Sequence, residues 1–125
     1  MARILIAEDE EALRALTARA LSDAGHEVIT AIDGADALEI ITRENGRFEL
    51  LLTDIKMPLM DGIALALAVA RDHPRITILL MTAYADQRER AANLDALIHD
   101  VILKPFTLAE IKSAVADALA ARGKR

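Results

Sequence analysis

Short apolar runs alternate with longer amphipathic ones along the whole chain. Arg3 to Ala7 reads as a buried strand, and Glu10 to Ala24 as a helix whose Leu13, Leu16, Ala20 and Leu21 share one face. Gly25 closes that helix. A second strand spans Glu27 to Ala31, and Asp33 caps a helix from about Gly34 to Asn45 with Ala37, Leu38 and Ile41 inward, ended by Gly46. Leu50 to Thr53 is a third strand. The segment Asp54-Ile55-Lys56-Met57-Pro58-Leu59-Met60-Asp61-Gly62 is a loop before a helix of about Gly62 to Asp72. Ile76 to Met81 is an almost wholly apolar strand, followed by a helix near Asp86 to Leu94 and a fifth strand, Asp100 to Leu103. The last helix opens on Thr107-Leu108-Ala109-Glu110, a capping box, and carries Leu108, Ile111, Val115 and Leu119 at helical spacing.

Strands apolar on both faces, each followed by a helix, require a parallel sheet covered on both sides by right-handed crossovers. The expected fold is therefore α/β, a doubly wound parallel five-stranded sheet built from five strand–helix units. In such open sheets ligands sit beyond the carboxyl ends of the strands, where strand order reverses.

Composition narrows the chemistry that this edge can hold. The 125 residues suit one domain, and 54% hydrophobic with 28% charged residues is a globular balance. The longest apolar stretch, Ile63 to Ala70, falls far short of the ~20 residues that cross a bilayer, so no membrane partner is expected. Acids as early as Glu8 and Asp9 leave no room for a signal peptide, and a cytoplasmic location is expected. Zero cysteines remove thiolate metal sites, thiol nucleophiles and disulfides. Twenty acids against fifteen bases give a formal charge of −5, and only two phenylalanines and one tyrosine offer rings for stacking; both features argue against nucleic acid.

The strand ends bring together Glu8 and Asp9, Asp54, Thr82 and Lys104. Three carboxylates crowded together repel, and with oxygen ligands alone the hard cation that relieves them is Mg²⁺, with Mn²⁺ as a substitute. Such an ion can bridge a carboxylate and an incoming phosphoryl oxygen, with Lys104 completing the clamp.

The motifs Ile4-Leu5-Ile6-Ala7-Glu8-Asp9-Glu10, Leu52-Thr53-Asp54-Ile55-Lys56-Met57-Pro58, Asp61-Gly62, Met81-Thr82-Ala83 and Lys104-Pro105-Phe106 stand in order at characteristic spacings. In these the chain resembles the receiver domains of two-component response regulators, related to the chemotaxis receiver CheY. The resemblance implies strand order 2-1-3-4-5 and a receiver domain over residues 1–121, with 122–125 a short basic tail. It implies Asp54 as phosphoacceptor from a sensor histidine kinase or a histidine phosphotransfer protein, and Mg²⁺ held by Asp9, Asp54 and the Lys56 backbone carbonyl. Glu8 would act through water, standing where the family more often has Asp. Thr82 and Lys104 would each take a phosphoryl oxygen, and the Lys104–Pro105 bond would be cis. Tyr84, Lys56 and Pro105 are expected to modulate the site. Where the family often has an aromatic three residues before the lysine, this chain has Val101, which removes an aromatic rotamer switch there; Tyr84 would screen the acyl phosphate or signal in its place.

Singly, each acid is more often a cap or solvated loop residue than a ligand, and His26, His73 and His99 read as surface or loop residues. The sequence stops after the fifth helix, which reads as a stand-alone, non-enzymatic receiver, a monomer or weak dimer, that acts through another protein. The stretches Ala64 to Pro74 and Tyr84 to Arg90 resemble the alphaproteobacterial CpdR type, which implies an adaptor for the ClpXP protease engaging ClpX. The alternatives are a chemotaxis-type or phosphate-shuttle receiver and, in another class, a Mg²⁺-dependent aspartate-nucleophile phosphatase; against the last, Asp54-Ile55-Lys56 puts lysine where its second acid belongs.

Overall fold

The structure is a computed structural model describing residues 1–122, and residues 123–125 of the expected tail lie outside the described residues. Ten elements alternate: β1 (Arg3–Ala7), α1 (Glu11–Asp23), β2 (Glu27–Ala31), α2 (Gly34–Arg43), β3 (Leu50–Asp54), α3 (Gly62–Asp72), β4 (Thr77–Thr82), α4 (Ala85–Ala92), β5 (Asp100–Leu103) and α5 (Leu108–Arg122). The strands form one sheet in the order β2-β1-β3-β4-β5, and every pairing is parallel. All five carboxyl ends therefore lie on one edge, and the order reverses between β1 and β3.

The period-2 pattern divides the core between two faces. Ile4, Ile6, Leu50, Leu52, Leu79 and Met81 point to the face covered by α1 and α5, through Leu21, Ile111, Val115 and Ala118. Leu5, Leu51, Ile78 and Leu80 point to the other, with Ile41 of α2, Leu65 and Val69 of α3 and Ala91 of α4. Burial on both faces holds for the central strands only: β2 and β5 are sheet edges, and their outer residues reach solvent.

Two helix starts follow the capping chemistry read from the sequence. The Asp33 side chain accepts from the Asp36 N–H at 2.8 Å. Thr107 and Glu110 bond reciprocally, the Glu110 N–H to Thr107 Oγ1 at 3.0 Å and the Thr107 N–H to Glu110 Oε1 at 2.9 Å. Two apolar positions depart from expectation. Leu16 is 54% exposed, because the buried stripe of α1 is centred on Thr17, Ala20 and Leu21 and Leu16 lies on its flank; the Thr17 hydroxyl is buried without a hydrogen-bond partner. Leu108 is exposed because it opens α5, a turn ahead of the part that reaches the sheet at Ile111. Strand β4 runs one residue later than expected, since the Thr77 N–H joins the Glu49 carbonyl and Thr82 pairs with Leu103. No helix among the described residues is long and apolar enough to cross a membrane.

Candidate functional site at the carboxyl edge of the sheet

Glu8 follows β1, Asp54 ends β3, Thr82 ends β4 and Lys104 follows β5, so the parallel topology delivers all four to the same edge. Glu8 is held from three sides. Its N–H donates to the Ala31 carbonyl, its own carbonyl accepts from Arg14 Nη1 at 2.9 Å, and its Oε2 accepts from the Glu10 N–H at 3.2 Å. The side chain is consequently buried, with Glu8 only 1% exposed. Asp54 is 7% exposed, and the next residue anchors it: the Ile55 N–H donates to the Met81 carbonyl at 2.9 Å. Asp9 faces solvent.

Carboxylate oxygens of Glu8, Asp9 and Asp54 all lie within 4.8 Å of one another. Lys104 Nζ reaches into this group, donating to Glu8 Oε1 at 2.7 Å and to Asp54 Oδ2 at 3.1 Å. The Lys104–Pro105 peptide is cis. Burial pushes the carboxyls of Glu8 and Asp54 above the usual carboxylate range; the lysine opposes this, and a neighbouring acid adds to it in each case. Burial also works against the Lys104 ammonium, but its contacts with Glu8 and Asp54 outweigh that and hold it firmly charged.

Three carboxylates clustered without sulfur or imidazole suit a hard divalent cation, and the charge excess remaining after one lysine is the kind such an ion offsets. The same edge offers an aspartate oxygen as a nucleophile, with an ammonium beside it to receive an anionic group.

The Thr82 hydroxyl is buried and already occupied. It donates to Gln87 Oε1 at 2.9 Å and accepts from the Tyr84 N–H at 3.1 Å. Tyr84 precedes α4, is 46% exposed, and its ring lies under Lys56 Nζ at 5.0 Å from the centroid. Lys56 is exposed in the loop after β3. Tyr84 and Lys56 thus pair with each other across two strand-end loops, while Val101 is buried in β5. His26, His73 and His99 precede β2, β4 and β5 respectively, so all three belong to the opposite edge of the sheet. Gln87 and Arg14 are contacts that the sequence reading missed. Neither belongs to a motif, and only their place in the first turn or so of a helix that follows a site strand marks them.

A sequence profile of the response regulator receiver domain matches residues 4–116. The transcriptional regulatory protein PrrA of Mycobacterium tuberculosis is 36% identical over 121 residues, which is 97% of this chain and 51% of PrrA. The chain thus spans about half the length of the curated relatives it matches. Among solved structures, a CheY-like response regulator receiver domain protein of Methanospirillum hungatei superposes with a TM-score of 0.89 at 30% identity, covering 99% of this chain and 98% of that one. The response regulator TrrA of Thermotoga maritima, solved in complex with Mg²⁺-BeF, superposes with a TM-score of 0.83 at 30% identity, covering 94% and 99%.

Proposed function

The chain belongs to the response regulator receiver domain family, and from that premise we propose that Asp54 is a reversible phosphoryl acceptor whose state sets the affinity for a protein partner. The observation that carries the reading is Lys104 Nζ held against both Asp54 and Glu8 inside an acidic trio at the carboxyl edge. The Asp54 carboxylate attacks the phosphorus of a phosphohistidine on a sensor kinase or histidine phosphotransfer protein. The P–N bond breaks, a P–O bond forms, and the donor histidine leaves with the electron pair.

Asp9 and Asp54 would hold Mg²⁺ directly, with the Lys56 carbonyl as a further ligand and Glu8 acting through water; Mn²⁺ has the same preference for oxygen. When bound, the ion would supply positive charge to offset that of the phosphoryl oxygens. The Mg²⁺-BeF complex of the Thermotoga relative supports this assignment. Lys104 pairs with one phosphoryl oxygen and Thr82 donates to another. Tyr84 and Lys56, stacked at the rim, screen the acyl phosphate from water, and Pro105 modulates the site from beside Lys104. On this reading the chain loads and unloads itself and turns over no external substrate. Incubation with a phosphorylated histidine donor and Mg²⁺ should give a hydroxylamine-labile phosphate on the wild type and none on Asp54→Asn; label that resists hydroxylamine, or that appears equally on Asp54→Asn, overturns the assignment.

For the output we propose a protease adaptor that engages ClpX when unphosphorylated, supported by the likeness of Ala64 to Pro74 and Tyr84 to Arg90 to the CpdR type. Leu67 and Tyr84 in those stretches are exposed. A second reading, output to transcription, is favoured by the name of the Mycobacterium relative; the formal charge of −5 then assigns DNA contact to another domain or protein. Binding of the ClpX amino-terminal domain to unphosphorylated but not phosphorylated protein separates the two, and equal or absent binding removes the adaptor.

A further inference from the structure

A threonine hydroxyl has one proton to donate, and in this protein that proton is committed. Thr82 Oγ1 accepts from the Tyr84 N–H at 3.1 Å and gives its own proton to Gln87 Oε1 at 2.9 Å. Thr82 is fully buried and Gln87 half-buried, so solvent has no access to the bond from the threonine side. Gln87 belongs to α4, and this helix is loosely fastened. Its N-cap residue makes no side-chain capping bond, and among its described side chains Ala91 alone is buried, the others facing solvent wholly or in part. The Thr82–Gln87 bond is thus a side-chain tie between a rigid strand end at the acceptor site and a helix with little else to hold it.

We propose that Gln87 is a positioning residue that latches the Thr82 hydroxyl in the resting protein and couples its release to movement of α4. The inference rests on the receiver reading above. When a phosphoryl oxygen arrives on Asp54, the Thr82 proton is transferred from one acceptor to another as a hydrogen bond, and the Gln87 carboxamide is set free. The phosphorylated state is reached by exchanging one neutral hydrogen bond for a charge-assisted one. The first turn of α4 loses its tie at the same moment, which gives the surface around Tyr84 and α4 two arrangements biased by the acceptor.

Beryllofluoride with Mg²⁺, a non-covalent stand-in for the phosphoryl group, tests the latch. The chain has one tyrosine and no tryptophan, so Tyr84 fluorescence follows the titration from beside the latch, and ¹⁹F NMR of bound fluoride checks it independently. Gln87→Met, similar in length but without the amide acceptor, should bind beryllofluoride about fivefold more tightly than wild type, the worth of one neutral hydrogen bond. Gln87→Ala should shift the same way, which guards against a packing effect of the methionine. Gln87→Glu, which keeps an acceptor, should show no gain. In a Thr82→Val background Gln87→Met should change nothing, whereas a merely structural role would persist there. Affinity in Gln87→Met and Gln87→Ala equal to or weaker than wild type, or an equal gain without the Thr82 hydroxyl, overturns the latch alone. Failure of the wild type to bind beryllofluoride overturns the receiver reading and the latch with it.

Discussion

Lys104 Nζ lies 3.1 Å from Asp54 Oδ2 although 50 positions separate the two residues, and the same ammonium stands 2.7 Å from Glu8 Oε1. The parallel sheet brings the two to one edge, because β1, β3 and β5 all end there. Lys104 is therefore the built-in counter-ion of the acidic trio. On the proposed function it has to loosen its hold on the carboxylates to receive a phosphoryl oxygen.

Removing that counter-ion leaves two buried carboxylates facing each other. Glu8 is almost wholly enclosed and the Lys104 side chain is only 16% exposed, so solvent screens the pair weakly. Lys104→Met should lower the unfolding free energy by about 3 kcal/mol in metal-free buffer at neutral pH, read by urea denaturation. Mg²⁺ should return part of the loss, since a divalent ion can neutralise the same oxygens. Stability equal to wild type would show that the ammonium is not the partner on which these acids depend.

The pH dependence has a definite sign. Burial raises the Asp54 and Glu8 carboxyls above their ordinary values of 3.8 and 4.5, so the folded protein binds these protons more tightly than the unfolded chain. The two sites therefore contribute stability that is present in acid and lost as pH rises from about 4 through the raised folded values. Asp54→Asn, which cannot ionise, should be more stable than wild type at neutral pH without metal, and the difference should shrink as pH falls toward 4. Saturating Mg²⁺ should narrow it from the other side by favouring the ionised carboxylate. Denaturant titrations at several pH values decide this, and a gap that widens in acid would contradict it.

Gly62 packs against the backbone at the end of β3, beside Asp54 and Ile55. Its N–H donates to the Ile55 carbonyl at 2.7 Å, and a Cβ at this position would lie 2.0 Å from the Asp54 carbonyl oxygen. Gly62→Ala should cost about 3 kcal/mol, at the upper end for an added methyl, because the obstacle is main chain and not a flexible side chain. It should also displace Asp54 and reduce Mg²⁺ affinity. Unchanged thermal stability together with unchanged Mg²⁺ affinity would refute the close approach.

Tyr84 and Lys56 come from loops after different strands and meet in one cation–π contact, 5.0 Å from Lys56 Nζ to the ring centroid. Tyr84→Ala and Lys56→Ala should each speed loss of phosphate from the acyl phosphate by about two- to fivefold, the range of an exposed cation–π contact. The double variant should be little faster than either alone, because one contact is lost in each case. Additive effects in the decay of phosphorylated protein would mean that the residues act separately.

The order of elements was legible in the sequence because each signal is local: apolar runs of strand length, Asp33 before α2, and the Thr107–Glu110 box before α5. The convergence of Glu8, Asp9, Asp54, Thr82 and Lys104 was legible as well, since a parallel sheet places every strand end on one edge whatever the side chains do. Pairings made after folding were not. Nothing local shows that Lys104 bonds Glu8 across 96 positions, or that Gln87, a polar residue on a mostly exposed helix, turns toward a buried threonine. Leu16 misled for a related reason: helical spacing identifies a stripe but not where its centre falls, and here a threonine holds the centre.

The central claim is that Asp54 carries the phosphoryl group, and intact-protein mass spectrometry after exposure to phosphoramidate and Mg²⁺ tests it most directly. The wild type should gain the mass of one phosphoryl group, lose it again on standing, and gain nothing when Mg²⁺ is chelated, while Asp54→Asn should stay at its starting mass throughout. A wild type that never gains the group, or an Asp54→Asn variant that gains it as readily, would contradict the account.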